Sequence, residues 1–182
     1  GSPGKPKAVV VEHVGLVNRV DWLQSRFPLR QDVVLHKTFY GFGVSEWEVF
    51  WPLLHGGVMA IAGRDGKDAD YVVNLCAALG GTRIFAVPSQ RELLAEVGRS
   101  DKVTHIFSAG EALMTGLCSS LHDSFSNAAV VNLYGPTEGD MTYFIASREP
   151  VDEDVPVPAG WCIQNSRVVI LRDNGDACDI GE

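Results

Sequence analysis

Asp68-Ala69-Asp70-Tyr71-Val72-Val73-Asn74-Leu75-Cys76-Ala77-Ala78-Leu79-Gly80-Gly81-Thr82-Arg83-Ile84-Phe85-Ala86-Val87-Pro88-Ser89-Gln90-Arg91-Glu92 spells a helix, a turn, a strand and the start of a second helix. Asp68 can cap a helix over 69–79, because its carboxylate accepts from an orphan N–H of the first turn. Gly80-Gly81 ends that helix, since glycine adopts the left-handed conformation that closes helices without steric cost. The apolar, β-branched run 82–87 suits a strand buried on both faces. Ser89 and Glu92 fit the S-x-x-E capping box, in which two side chains satisfy backbone donors reciprocally.

Similar short runs recur at 8–11, 32–35, 58–62, 103–108 and 128–133, and most intervals between them are long enough for a helix. This alternation predicts βαβ units, hence an α/β fold with a mostly parallel, doubly wound sheet and helices on both faces. Ser45-Glu46-Trp47-Glu48 predicts a second capping box. Val14, Val17, Val20 and Leu23 (or Gln24) share one helical face, which predicts a helix from 14 to about 25. Beyond Leu133 the pattern becomes a short β-rich segment, with strands at 141–147 and 167–171 and a turn at Asp173-Asn174-Gly175-Asp176. The stretch 150–158, with acids and prolines, reads as a connecting loop. The expected division is a core segment over 1–149 and a loop-and-strand segment over 150–182 that starts a following subdomain. A Gly-Ser-Pro-Gly opening and a stop just after a turn read as those of a fragment, an incomplete part of a larger fold.

Composition narrows the function classes. Of 182 residues, 46% are hydrophobic and 21% charged, the balance of a folded domain and not of a disordered one. Fifteen Lys+Arg face 23 Asp+Glu, and a net charge of -8 without a basic stripe argues against nucleic-acid partners. No apolar run approaches the ~18 residues of a bilayer span, so no membrane partner is expected. Cys76, Cys118, Cys162 and Cys178 are far apart, which fits neither a disulfide framework nor structural zinc and points to a reducing, cytoplasmic compartment. The five histidines are scattered and read as ordinary surface or core residues.

Three segments could carry chemistry. Gly1-Ser2-Pro3-Gly4-Lys5-Pro6-Lys7 has the glycines, hydroxyl and lysines of a phosphate loop, although it is not the G-x-x-x-x-G-K-[ST] sequence. Asn132-Leu133-Tyr134-Gly135-Pro136-Thr137-Glu138 ends a buried run in a Gly-Pro turn that presents a phenol, a hydroxyl and a carboxylate together. Ligands of a doubly wound sheet bind at such strand ends. There an aromatic ring can stack on a base, a threonine can bond a phosphate and a glutamate can hold Mg2+. Ser108-Ala109-Gly110-Glu111 also follows a predicted strand, and its small residues would let a flat ligand approach backbone. Taken alone, the opening segment is as well served by a frayed terminus or vector residues, and the other two are better served by ordinary turns.

In this order, the three segments resemble the adenylation domain of a non-ribosomal peptide synthetase, within the acyl-adenylate-forming enzymes. Residues 1–9 resemble the glycine-rich S-G-[ST]-T-G-x-P-K-G loop entered part-way, and Phe42-Gly43-Val44-Ser45-Glu46-Trp47-Glu48 resembles F-D-x-S-x-W-E. Residues 132–138 match N-x-Y-G-P-T-E, residues 108–111 resemble the [GA]-G-E turn, and Val157-Pro158 with Gly160 and Ile163-Gln164-Asn165 resembles V-P-I-G-x-P-I-x-N. Asn18, Arg19, Trp22, Gln24 and Val34-Leu35-His36-Lys37-Thr38 add matches between them.

The resemblance implies attack of a carboxylate on the α-phosphate of ATP, giving an acyl-adenylate and pyrophosphate. It then implies loading onto the phosphopantetheine thiol of a carrier protein. By that carry-over Ser2, Gly4, Lys5 and Lys7 sit over the β- and γ-phosphates, with Lys7 in a catalytic role. Tyr134 stacks on adenine beside Asn132, Gly110, Glu111 and Gly135. Thr137 contacts the α-phosphate, and Glu138 ligates Mg2+. The implied partners are a small carboxylic acid, carrier-protein and condensation domains of one synthetase, and a small MbtH-like protein. Pro3 stands where the loop usually has threonine, and Ala8 where it has glycine. The ribose-binding aspartate, the hinge and the mobile lysine of the family have no counterpart in the sequence, so the chain is expected to be inactive alone.

The family's aspartate that pairs with a substrate ammonium is here Gly43. The other positions matching the specificity pocket are Val44, Trp47, Phe85, Phe107, Ala109, Leu133, Met141 and Thr142, an apolar set suited to a branched or aromatic side chain. Glu46 is expected to face solvent and not to replace the missing carboxylate. The expected substrate is therefore a hydrophobic 2-keto or 2-hydroxy acid, with aryl acids as runner-up. An acyl- or aryl-CoA ligase and a degenerate, non-catalytic nucleotide-binding module are the competing readings.

Overall fold

Ladder pairing joins the apolar runs into one sheet, in a computed structural model that describes residues 8–97, 100–139, 142–149 and 154–179. The strands are β1 (Val33–His36), β2 (Val58–Ile61), β3 (Gly81–Ala86), β4 (His105–Ser108), β5 (Ala129–Tyr134), β6 (Thr142–Ile145) and β7 (Trp161–Cys162). Their spatial order is β2-β1-β3-β4-β5-β6-β7. The first five in that order pair in parallel, and β6 and β7 are antiparallel additions. The helices are α1 (His13–Arg26), α2 (Val44–Leu54), α3 (Ala69–Leu79), α4 (Pro88–Val97) and α5 (Thr115–Ser124). The expected α/β class, doubly wound with helices on both faces, is what the chain adopts.

Two cores follow from the pleat, because successive strand side chains point to opposite faces. Leu35, Ile84, Ile106 and Val130 face Val72 and Cys76 of α3, Leu94 of α4, and Cys118 and Leu121 of α5. Val34, Phe85, Phe107 and Val131 face Val20 and Leu23 of α1 and Trp47 and Trp51 of α2. Each such fully buried side chain contributes about 1.5–3 kcal/mol of apolar transfer.

Local signals held unevenly. Asp68 accepts from the Tyr71 N–H at 2.8 Å, and Gly80 ends α3 at φ 67°, both as expected. The capping box expected at Ser89 and Glu92 is displaced, since α4 already begins at Pro88 and Ser89 lies inside its first turn; the side chains of both are outside the described set. The second one fails: Gly43 is the N-cap of α2, so Ser45 is already inside the first turn and donates to the Phe42 carbonyl instead. The helix expected at 14–25 forms, but Val14 and Val17 are exposed, and Arg19, Val20, Trp22 and Leu23 make the buried face. The run 8–11 is not a strand. Its residues have no ladder partner among the described ones, and Val10 is 93% exposed. Nor is 167–171 a strand; only an isolated bridge between Leu171 and Ala177 forms. The turn at 173–176 does close, with Gly175 at φ 88° and the Arg172 N–H donating to the Asp176 carbonyl at 2.8 Å.

Charged groups gather at the amino ends of β1, β3 and β4. Buried Arg83 pairs with Asp32 at 3.2 Å, lies over the Trp51 ring at 5.7 Å and touches His105. Burial, with the Arg83 cation beside it, pushes His105 down from 6.5 to about 4. Burial alone would raise Asp32, but the Arg30 N–H, the Thr82 hydroxyl and Arg83 hold it below the usual carboxylate value. This polar knot serves the fold, since it lies at the edge away from the strands' carboxyl ends.

Candidate active site

The chain leaves β1 toward β2 through α2 on one face, then returns past β1 to β3 through α3 on the other. That reversal makes the carboxyl ends of β1 and β3 the switch point, where an open α/β sheet leaves a crevice for ligands. The loop 37–43 leaves β1 at this edge of the sheet. One carboxylate fixes its start: fully buried Glu48 of α2 accepts from the Lys37 N–H (3.1 Å), the Thr38 N–H (2.9 Å) and the Thr38 hydroxyl (2.6 Å), and lies 3.0 Å from His36 Nδ1. Lys37 Nζ donates to Gln90 Oε1 at 2.7 Å, and Gln90 Nε2 donates to the Gly66 carbonyl at 3.2 Å, which ties the loops after β1 and β2 to α4. Glu48 looked like half of a capping box in the sequence, so its three-residue grip was hidden.

The segment 132–138 sits at the carboxyl end of β5. Asn132 is buried, and its Nδ2 donates to the carbonyls of Val157 (3.3 Å) and Pro158 (3.0 Å). With the amide held that way, its Oδ1 is the face left to accept from a ligand amine. Tyr134, 58% exposed, closes the strand, and Gly135, Thr137 and Glu138 follow on an exposed turn. The neighbouring turn after β4 carries Gly110 at φ 90°, a conformation that favours glycine, and exposed Glu111. The structure thus brings Asn132, Tyr134, Gly135, Thr137, Glu138, Gly110 and Glu111 to adjacent strand ends. Ser2, Gly4, Lys5 and Lys7 lie outside the described residues.

No cluster of three or more His, Cys, Asp or Glu side chains that could hold a metal occurs among the described residues. A magnesium ion shared with phosphates needs only one or two carboxylates, and exposed Glu138, next to Thr137 in the chain, offers one hard oxygen ligand of that kind.

The positions assigned to the acid divide into groups. Trp47, Phe85, Phe107 and Leu133 are each at most 5% exposed and belong to one packed cluster. Val44 and Ala109 pack on its margin. Gly43 sits at the head of α2 with φ -53°, and a Cβ there would meet nothing within 4 Å. Thr142 pairs with Tyr134 across β5 and β6, so it shares the face of Tyr134 and not that of Leu133 and Phe107. Its buried hydroxyl has no hydrogen-bond partner among the described residues. Met141 lies outside them. Glu46 does not simply face solvent: Arg19 Nη2 donates to its Oε2 at 2.9 Å, an ion pair joining α1 and α2.

The profile of the family described as AMP-binding enzyme matches residues 1–182. Vanchrobactin synthetase VabF of Vibrio anguillarum is 37% identical over 199 aligned residues, and tyrocidine synthase 3 of Brevibacillus parabrevis is 34% identical over 188. Both alignments cover all of this chain, which spans 7% of the first relative and 3% of the second. Among solved structures, the Vibrio cholerae adenylation domain AlmE in complex with glycyl-adenosine-5'-phosphate has a TM-score of 0.84 at 24% identity. That likeness, over 97% of this chain and 34% of the other, is one of fold.

Proposed function

The chain belongs to the AMP-binding enzyme family, as a piece of an adenylation domain of the peptide-synthetase type, and on that premise we propose that the complete protein activates a carboxylic acid with ATP. The acid's carboxylate oxygen attacks the α-phosphorus, the bond from that phosphorus to the bridging oxygen of pyrophosphate breaks, and acyl-AMP with pyrophosphate results. Such transfer asks the protein for positioning and charge neutralisation more than for covalent chemistry. Tyr134 stacks on adenine, Asn132 Oδ1 accepts from the exocyclic amine, and the turn at Gly110 and Glu111 gives the base a flat backbone to lie on. Thr137 bonds the α-phosphate. Bound Mg2+ neutralises phosphate charge, and Glu138 is the residue that would hold it. Ser2, Gly4, Lys5 and Lys7 form the phosphate loop.

The observation that supports the nucleotide reading best is the oriented Asn132 amide beside the exposed Tyr134 ring. AMP titration of the complete protein tests it. Tyr134→Ala should weaken AMP binding by about 1–3 kcal/mol, the usual worth of a base–aromatic stack. Unchanged AMP affinity counts against the assignment.

For the acid, the reading is a hydrophobic 2-keto or 2-hydroxy acid. A buried ammonium left without its carboxylate costs about 3–5 kcal/mol. Gly43 supplies no carboxylate, and the nearby Glu46 is engaged by Arg19. In the complete protein the acyl group then passes to a carrier-domain phosphopantetheine thiol, whose sulfur attacks the acyl carbon as AMP leaves. Condensation domains and a small MbtH-like protein complete the proposed partners. Residues 1–149 are proposed as the nucleotide- and substrate-binding core segment, and 150–182 as the start of the next subdomain. No described helix is long and apolar enough to cross a membrane. The proposed compartment is the cytoplasm.

A further inference from the structure

We propose that the segment 154–158 fixes the sense of the Asn132 amide, and that Thr115 and Asp154 are positioning residues that thereby set the choice between an amine and a carbonyl on the bound base. This rests on the nucleotide reading above and deepens it. Both hydrogens of Asn132 Nδ2 are spent within the chain, on the carbonyls of Val157 at 3.3 Å and Pro158 at 3.0 Å. A reversed amide would set Oδ1 against those two oxygens, acceptor against acceptors, and lose both bonds. Oδ1 accepts from no described residue, so it is the group left for the base. An acceptor there favours a base whose edge donates an amine hydrogen over one whose edge carries a carbonyl.

The two carbonyls are held by residues away from Asn132. The segment 154–158 lies antiparallel to 113–116: the Val157 N–H donates to the Leu113 carbonyl at 2.7 Å, the Thr115 N–H donates to the Val155 carbonyl at 3.0 Å, and Met114 bridges Pro156. Thr115 acts a second time, since its Oγ1 accepts from the Val155 N–H at 3.0 Å. Asp154 Oδ1 accepts from the Gly116 N–H at 2.8 Å, and a Cβ on Gly116 would come within 3.1 Å of that oxygen. The rings of Pro156 and Pro158 restrict φ on either side of Val157, whose side chain is buried in the core that includes Leu113 and Cys118. Downstream, Gly160 lies against the Tyr143 backbone and β7 pairs with β6, so the segment is fixed at both ends.

The test is titration of the complete protein with AMP and with IMP, which carries a carbonyl where AMP carries its amine. The wild type should favour AMP by about tenfold or more, because IMP would set its carbonyl against Oδ1. Thr115→Val keeps the shape but loses the acceptor of the Val155 N–H, and Asp154→Leu removes the partner of the Gly116 N–H. Each should lower the AMP-to-IMP affinity ratio by about threefold or more, through weaker AMP binding. Asp154→Asn retains an acceptor oxygen and should keep the wild-type ratio. Pro158→Gly, which frees φ at one of the two carbonyls, should move the ratio the same way if Thr115→Val fails to fold. A merely structural role would weaken both nucleotides alike, so variants that keep the wild-type ratio overturn the positioning role and leave the nucleotide reading standing. A wild type that binds AMP and IMP equally well overturns the fixed sense of the amide. Binding of neither nucleotide removes the nucleotide reading itself, and this proposal with it.

Discussion

Glu138 and Gly43 each carry a proposed role in the chemistry while standing exposed or open, with little part in the packing of the fold. Glu138 stands exposed on its turn, so Glu138→Gln should leave the melting temperature of the complete protein unchanged while pyrophosphate exchange falls by orders of magnitude. Near-normal exchange would remove the metal-ligand role. Glycines differ just as sharply among themselves. A Cβ on Gly43 meets open space, whereas one on Gly160, at φ 85°, would lie 2.0 Å from the Tyr143 carbonyl oxygen. Gly160→Ala should therefore destabilise by about 2 kcal/mol or more through left-handed strain and backbone displacement, while Gly43→Ala stays near neutral. Denaturant midpoints of the two variants check the contrast.

At the scale of elements, α2 does two jobs with adjacent residues. Trp47 packs inward beside Phe85, and Glu48 holds the start of the loop that leads to Gly43. Glu48→Gln keeps the shape but loses the charge and exchanges an acceptor for a donor among the donors of residues 36–38. The expected result is a rise in KM for the acid that exceeds any rise in KM for ATP, with about 1–3 kcal/mol lost in stability. Equal effects on both substrates would make Glu48 a purely structural residue. The helix and strand positions were legible in the sequence because periodicity and caps are local: Asp68, Gly80 and the run 82–87 report on their own neighbours. Where the sequence misled, the partner was distant. Glu48 answers residues ten or more positions earlier, and Asp154 reaches the Gly116 N–H at 2.8 Å to serve as a cap for α5. The runs 8–11 and 167–171 have strand composition, but composition cannot supply the ladder partner that makes a strand.

The sheet keeps its buried charged cluster at the amino edge, away from the strand ends where the site is proposed. At the amino edge, His105 is held near 4 against an ordinary 6.5, so the unfolded chain takes up its proton first. The stabilisation this neutral imidazole contributes is complete above about 6.5 and is lost as pH falls toward about 4. Depressed Asp32 adds to the loss at still lower pH. Protection of the β3 and β4 amides relative to their intrinsic exchange at each pH should fall over that window in the complete protein, and His105→Asn should flatten the response. At the carboxyl edge, strand order places the turns after β4 and β5 beside one another. The place of segment 132–138 at a strand end was legible, and strand ends are where such sheets bind ligands. The stacking of Phe85 on Phe107 was not legible, since residue type alone does not say whether two rings stand apart or stack. The measurement closest to the central claim is acid-dependent ATP–pyrophosphate exchange by the complete protein, wild type against Gly43→Asp, with paired 2-keto, 2-hydroxy and 2-amino acids. The wild type should exchange with the keto or hydroxy acid in clear preference to the amino acid, and Gly43→Asp should move preference toward the amino acid. A wild type that favours the amino acid, or that exchanges with no acid at all, would contradict the account.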